Sequence, residues 1–255
     1  MSDLWLPQAA SSYAADIDGL LVEITWIVGV WFVVAELVLL YMVFRFRRKK
    51  GERAAYLPGK SLRAMSVVLV PCVVILGFDL FIDAIAAPVW ASIKESRPPH
   101  DELVRITGEQ WAWRFTYAGP DGKLDTDDDI ESLNEMHVPV DKVVEFELGS
   151  RDVLHSFFVR ELRTKQDAVP GRTIKGWFEP TVPGTFEIVC AEICGFGHTL
   201  MKGSLTVESD EDYRSWLKAR AEAQAAVPAP QAAPPAPPAA PPTPQAGASG
   251  EGSGG

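Results

Sequence analysis

Two long apolar stretches place the strongest constraint on how this chain of 255 residues can fold. The first runs from about residue 20 to 44 and the second from about residue 64 to 90. About twenty consecutive apolar residues in a helix are enough to cross the hydrocarbon core of a bilayer, and both stretches reach that length. We therefore predict transmembrane helices over 19–46 and 63–92, joined by a loop over 47–62.

The charges beside these stretches predict their orientation. Residues 45–63 contain eight basic residues and one acidic residue, whereas residues 1–18 contain three aspartates and no Lys or Arg. Short loops rich in Lys and Arg remain in the cytoplasm. We therefore expect the loop to be cytoplasmic, and the tail over 1–18 and everything after the second helix to lie on the outer, periplasmic side of a bacterial inner membrane. The tail lacks the basic region of a cleavable signal peptide, so the first helix is expected to be retained.

Residues 103–208 have the pattern of an all-β domain. Short runs rich in strand-forming residues, such as 103–107 and 143–148, alternate with turn signals such as 119–122 and 182–184. Strands at this spacing are typical of a sandwich or barrel. About a hundred residues are enough for one such core.

The end of the chain changes in composition. Residues 209–224 are predicted to form a short helix, and residues 225–255 are rich first in Ala and Pro and then in Gly and Ser. That last composition has too few apolar side chains to bury a core, so it is predicted to be disordered. The net charge of the whole chain is -10, and no nucleic-acid partner is expected.

Four sulfur and imidazole side chains lie within twelve residues: Cys190, Cys194, His198 and Met201. These are soft and borderline ligands, which copper prefers over the ligands suited to calcium or magnesium. A single blue copper needs only one Cys, and a structural zinc site needs no Met. Two Cys at this spacing suit two coppers that share two bridging sulfurs. A disulfide between the cysteines is the alternative on the oxidising side of a membrane, but it leaves the His and the Met without a role.

One earlier His would complete such a copper site. His155 lies in the strand-like segment 152–158, and the Cys190 run follows another strand-like segment, 185–189. A strand can present His155 to a loop much further along the chain. The alternative is a hydrogen-bonded core histidine.

Over roughly residues 18–208, the chain resembles subunit II of the haem-copper cytochrome c oxidases. Five segments carry the resemblance: 108–113, 152–157, 165–172, 184–186 and 190–201. The resemblance implies a two-helix transmembrane hairpin followed by an all-β, cupredoxin-like Greek-key sandwich.

The resemblance also implies a dinuclear copper centre, named CuA, with six ligand residues in this chain: His155, Cys190, Glu192, Cys194, His198 and Met201. The two cysteines are implied to bridge both coppers, and each histidine to cap one of them. The methionine is implied to be a weak ligand of one copper, and the backbone carbonyl of the glutamate a weak ligand of the other.

Further roles follow from the same resemblance. The side chain of Glu192 is implied to bind a magnesium ion at the boundary with subunit I. Trp111 corresponds to the exposed aromatic residue through which electrons arrive from cytochrome c, whereas Trp113 is expected in the core. The family often has Tyr between these two tryptophans, where this chain has Ala112.

The predicted membrane helices depart from the family at the mouth of a proton channel. The family often has a Glu at the cytoplasmic start of the second helix, where this chain has Ala64, and a Trp where it has Val67. We hypothesise that Glu36 serves the proton path instead. The alternative is a hydrogen bond from Glu36 to subunit I.

The resemblance implies the electron-accepting subunit of a respiratory terminal oxidase, working with subunit I and subunit III. The haem and the oxygen chemistry belong to the partner subunit, and no catalytic residue is assigned in this chain. It contains no Cys-x-x-Cys-His haem motif, so the cytochrome c or similar donor is expected to be a separate protein. The alternatives are the corresponding subunit of a nitric oxide reductase and a membrane-tethered copper-binding protein.

Overall fold

Two long helices open the fold. The computed structural model describes residues 6–51, 53 and 58–226. Helix α1 spans Ala14–Arg45 and helix α2 spans Leu62–Trp90. Both are long and apolar enough to cross a membrane. The connection between them is described only in part.

The helix ends differ from the sequence prediction at one point. Helix α1 begins at Ala14, upstream of the predicted start at residue 19. Helix α2 begins after Ser61, whose hydroxyl accepts a hydrogen bond from the Ala64 amide at 3.2 Å, as N-cap residues do. A π-helical turn over Ala91–Glu95 then leads into the β-domain.

The segment before α1 packs on the β-domain. Ala10 and Tyr13 are buried, and Ser11 donates a hydrogen bond to the Leu162 carbonyl oxygen at 2.8 Å. The Tyr13 hydroxyl lies 2.6 Å from the hydroxyl of Thr164. The segment before α1 is therefore packed into the β-domain at least from Ala10 onwards.

The β-domain is a sandwich of two five-stranded sheets. The first sheet contains, in spatial order, β3 (Ile130–Leu133), β2 (Ala112–Tyr117), β1 (Glu102–Glu109), β5 (Val144–Ser150) and β8 (Ile174–Phe178). The second sheet contains, in spatial order, β4 (Glu135–Pro139), β10 (Lys202–Glu208), β9 (Gly184–Cys190), β6 (His155–Val159) and β7 (Thr164–Ala168).

The chain crosses repeatedly between the two sheets. Strand β1 pairs parallel with β5, and β10 pairs parallel with β4, although each pair is distant in sequence. Side chains alternate between faces along a strand, so each sheet turns one apolar face inward. The largest fully buried side chains include Trp113, Phe115 and Phe157. This architecture confirms the predicted hairpin and all-β sandwich.

Helix α3 (Asp210–Ala226) closes the described part of the chain. Its first turn contains three acidic residues, which stabilise a helix N-terminus, and the Ser209 hydroxyl accepts a hydrogen bond from the Asp212 amide at 3.1 Å. Tyr213 is fully buried, and Trp216 stacks on His137 at 4.1 Å between ring centroids. The predicted disordered tail lies outside the described residues, apart from its first two.

Candidate metal centre

The run from Cys190 to Met201 forms the connection between strands β9 and β10. Phe186, Ile188 and Cys190 alternate along β9 and point into the core. The Cys190 amide donates a hydrogen bond to the Met201 carbonyl oxygen at 3.2 Å, which closes the base of the loop. Gly195 has φ +118°, a backbone conformation that glycine adopts without steric cost.

Strand pairing brings His155 to this loop. Strand β6 pairs antiparallel with β9, so that Phe157 lies opposite Cys190. His155 is two residues before Phe157 and therefore on the same face. Its side chain is fully buried, and its Nδ1 lies 3.8 Å from the sulfur of Cys190.

The candidate ligand atoms converge on the two cysteine sulfurs. The Sγ atoms of Cys190 and Cys194 are 3.7 Å apart. The Sγ of Cys194 lies 3.7 Å from His198 Nδ1 and 3.8 Å from Met201 Sδ. The ligand atoms of His155 and the two cysteines all lie within 4.8 Å of one another. The structure thus brings together all five side chains that the sequence pointed to.

The cysteines are free thiols. Their separation of 3.7 Å far exceeds a disulfide bond of about 2.05 Å. Burial and the neighbouring Cys190 thiol raise the pKa of Cys194 to about 11. Since a metal binds the thiolate, binding here has to displace a proton.

Asp152 orients the buried imidazole, a role that the sequence analysis did not assign. Its Oδ1 lies 2.8 Å from His155 Nε2, which leaves Nδ1 to face the sulfurs. A carboxylate in this position is the usual outer partner of a metal-binding histidine. Gly108 fits behind the ring, where a Cβ would lie 2.9 Å from His155 Cδ2. The only sequence signal for Asp152 is its position three residues before the histidine.

Trp111 lies over the loop that carries the candidate ligands. The side chain of Trp111 is 42% exposed. Its indole ring packs on Gly195 and Gly197, and a Cβ at position 197 would overlap the ring. Gln110 donates a hydrogen bond to the Cys194 carbonyl oxygen at 2.8 Å. Trp113, two residues on, is fully buried and meets His155 edge-on.

Glu192 presents two different groups. Its backbone carbonyl oxygen lies 3.2 Å from the Cys190 sulfur, beside the candidate ligands. Its carboxylate points away and pairs with Lys165 at 3.3 Å. The side chain and the backbone of Glu192 can therefore serve different partners.

Glu36 lies apart from this cluster, within α1. Its carboxylate makes no hydrogen bond to another residue in the part of the chain that the structure describes. The fold thus gathers the candidate copper ligands and Trp111 at one end of the sandwich, and leaves Glu36 on a membrane-length helix.

The fold combines a hairpin of two membrane-length helices with a β-sandwich that holds a candidate metal site. This combination places the protein in the class of membrane-anchored cupredoxin-like domains. The family described as "Cytochrome C oxidase subunit II, periplasmic domain" matches residues 103–209. The alternative cytochrome c oxidase subunit 2 of Bradyrhizobium diazoefficiens is 35% identical over 219 residues, which cover 76% of this chain and 76% of that protein. The cytochrome c oxidase subunit 2 of Thermostichus vulcanus is 29% identical over 275 residues, which cover 88% of this chain and 80% of that protein.

Among solved structures, the periplasmic domain of subunit II of a cytochrome oxidase of Bradyrhizobium japonicum is 30% identical and covers 49% of this chain and 97% of its own, with a TM-score of 0.45. The chain belongs to the cytochrome c oxidase subunit II family, the electron-transfer subunits of haem-copper oxidase complexes.

Proposed function

We propose that this subunit binds a dinuclear copper centre, accepts electrons there from a separate cytochrome c, and passes them to the haem of subunit I for reduction of oxygen to water. The observation that carries the proposal is the convergence of two imidazole nitrogens and one thioether sulfur on one pair of cysteine sulfurs. The names of the relatives, cytochrome c oxidase subunit 2, support oxygen as the terminal acceptor.

The donor set fits two coppers. Thiolate, thioether and imidazole are ligands that copper prefers, and two sulfurs 3.7 Å apart each have an imidazole nitrogen within 3.8 Å. Cys190, Cys194 and Met201 are buried, which excludes water from the sulfurs. When bound, the copper pair supplies a site that gains and loses one electron.

Contacts outside the set of candidate ligands hold His155 in place. The hydrogen bond that His155 Nε2 donates to the carboxylate of Asp152 sets the orientation of the ring, and the strand pairing of β6 with β9 fixes its distance from Cys190. Ligands held by packing and by outer hydrogen bonds change little in position when the charge at the site changes. Such rigidity favours rapid electron transfer.

Trp111 is proposed as the residue through which electrons reach the site. It is partly exposed to a docking partner on one side, and it contacts the loop of candidate ligands on the other. No other tryptophan of the described sandwich combines these two contacts, since Trp113 is buried and Trp177 lies near the helices.

Four finer assignments remain part of this proposal. The carboxylate of Glu192 is proposed to bind magnesium, a hard ion that takes oxygen ligands, together with subunit I. Glu36 is proposed as a proton-path residue. The complex is proposed to include subunit III and to lie in a bacterial inner membrane with the sandwich on the periplasmic side.

The central test is Cys194→Ser in the purified complex. We expect loss of near-infrared copper absorption and loss of cytochrome c oxidation. Cys72→Ser is the matched control, because Cys72 is an exposed thiol in α2, and it should retain both. Intact copper absorption and activity in Cys194→Ser would overturn the proposal.

A nitric oxide reductase subunit is the second candidate, which the departures at Ala64, Val67 and Ala112 leave open. Assaying the complex with reduced cytochrome c under oxygen and under nitric oxide separates the two. Turnover with oxygen alone supports the oxidase, and turnover with nitric oxide alone supports the reductase.

A further inference from the structure

A groove lies where the helical hairpin meets the sandwich. Its volume is about 310 Å³, at the lower end of the range of small-molecule sites. The contacts that join the hairpin to the sandwich beside it include an ion pair between Arg163 and Asp18 at 2.6 Å and a hydrogen bond that Trp177 donates to the Ser96 carbonyl oxygen at 3.0 Å.

The groove combines an apolar floor with a cationic rim. The floor is formed by side chains from one end of each helix and from the π-helical turn after α2: Ile17, Leu20, Ala86, Val89 and Ile93. The rim contains five basic residues and no acidic one: Lys94, Arg97, Arg163, Lys165 and Lys175. The acidic side chains that pair with three of these residues lie outside the lining of the groove.

Two of these cations lack a carboxylate partner among the described residues. Arg163, Lys165 and Lys175 each pair with acidic side chains. The ammonium of Lys94 instead donates a hydrogen bond to the neutral amide of Gln166 at 3.0 Å, and Arg97 forms no ion pair with a described residue. The charges of these two residues are therefore available to an anion in the groove.

The position of the groove indicates where such an anion comes from. Trp90 lines it and marks the outer end of α2, and tryptophan is enriched at the membrane–water boundary. A ligand bound at the membrane–water boundary would contact the apolar ends of the helices. It would also contact the basic side chains of the sandwich and of the turn after α2. A phospholipid with an anionic headgroup matches both surfaces.

We propose that this groove binds an anionic phospholipid of the outer leaflet, with its phosphate at Lys94 and Arg97 and an acyl chain along the helix ends. The lipid would fill the space between hairpin and sandwich. It would thereby support the orientation of the outer domain on the membrane. This site does not depend on copper.

The test uses the whole complex, purified in detergent and depleted of lipid, with spin-labelled phosphatidylglycerol and phosphatidylcholine of the same chain length as probes. The wild type should immobilise phosphatidylglycerol more tightly than phosphatidylcholine. Loss of two charges near a membrane surface corresponds to about thirtyfold weaker binding, so Lys94→Gln with Arg97→Gln should lose the preference. The charge-matched control, Lys123→Gln with Lys218→Gln, alters exposed lysines outside the groove and should keep it.

Two further variants probe the occupant directly. Ala86→Phe fills the apolar floor without removing a charge, and should weaken the binding of both lipids. A photo-activated benzoylphenylalanine in place of Ile93 should cross-link to lipid. Near-infrared copper absorption, measured on every variant, should be unchanged, which separates this proposal from the proposed function.

Three results would overturn the proposal: equal affinity for the two lipids in the wild type, unchanged phosphatidylglycerol binding after loss of Lys94 and Arg97, or cross-linking from position 93 to another subunit. The last result would show that protein covers the groove.

Discussion

Gln110 donates a hydrogen bond from its side-chain amide to the carbonyl oxygen of Cys194, across 2.8 Å. The next residue, Trp111, packs on Gly195 and Gly197 of the same loop. One short segment therefore carries the exposed indole and attaches it to the candidate ligands. Electron transfer depends on such contacts being held in place.

Replacing Gln110 with Ala should slow the transfer of electrons from cytochrome c severalfold, because Trp111 would lose its anchor to the Cys194 backbone. The net contribution of one hydrogen bond is about 1 kcal/mol, so the fold should survive. Stopped-flow reduction by cytochrome c measures the rate, and near-infrared absorption reports the copper. Gln224→Ala is the control, because Gln224 makes comparable hydrogen bonds on α3. Equal rates in the two variants would contradict this role.

Gly197→Ala should displace the indole, because a Cβ at this position would overlap the Trp111 ring. Overpacking of this kind costs about 1–3 kcal/mol. We expect slower reduction by cytochrome c and increased tryptophan fluorescence quenching by added iodide. Gly149→Ala is the control, since a Cβ there meets its nearest neighbour at an ordinary 3.5 Å. An unchanged rate in Gly197→Ala would count against Trp111 as the electron inlet.

Glu192→Gln should weaken binding at the proposed magnesium site and leave the proposed copper site unchanged. The backbone carbonyl faces the Cys190 sulfur and is kept in the variant, so near-infrared copper absorption should be unchanged. The carboxylate is lost, so manganese substituted for magnesium should bind more weakly, as measured by electron paramagnetic resonance. Asp167→Gln is the control, because it removes another carboxylate that pairs with Lys165. Weaker copper absorption in Glu192→Gln would assign its side chain to the copper site.

Because of Tyr13, the stability of the folded protein should decrease as the pH rises through the alkaline range. Burial raises the pKa of Tyr13 from 10.0 to about 12, although the hydrogen bond with Thr164 acts in the opposite direction. Because the folded pKa is the higher one, the stabilisation is complete below pH 10 and is lost as the pH rises from 10 to about 12.

The melting temperature of the wild-type complex should therefore fall over this range, and the fall should be shallower in Tyr13→Phe. At neutral pH the variant should be less stable by about 1 kcal/mol, because the Thr164 hydroxyl loses a partner. Tyr41→Phe changes an exposed tyrosine in α1 and should follow the wild type. Parallel pH profiles for Tyr13→Phe and the wild type would contradict the prediction.

Local sequence patterns were enough to predict the fold class. Runs of twenty apolar residues have few alternatives to membrane helices, and alternating residues between turns indicate strands. The start of α1 was harder to predict, because Asp16 and Asp18 are typical of a polar tail. Tertiary contacts extend the helix beyond the apolar stretch, as the ion pair between Asp18 and Arg163 shows.

The candidate site was predictable to the extent that its residues are close in sequence. Cys190, Cys194, His198 and Met201 share one loop, so their residue types alone indicate a metal site. Asp152 and Gln110 gave no comparable signal, because aspartate and glutamine are common at the surface. Their roles depend on which atoms lie within hydrogen-bond distance.

The sequence by itself determined the ligand chemistry of one loop and the two membrane-length helices, because both depend on residue type and short spacing. Only the tertiary structure brought His155 beside Cys190, laid Trp111 on the loop, and gathered five cations around one groove. Each of these depends on pairing between strands and helices that are far apart along the chain. Such pairing is selected by the packing of the whole core.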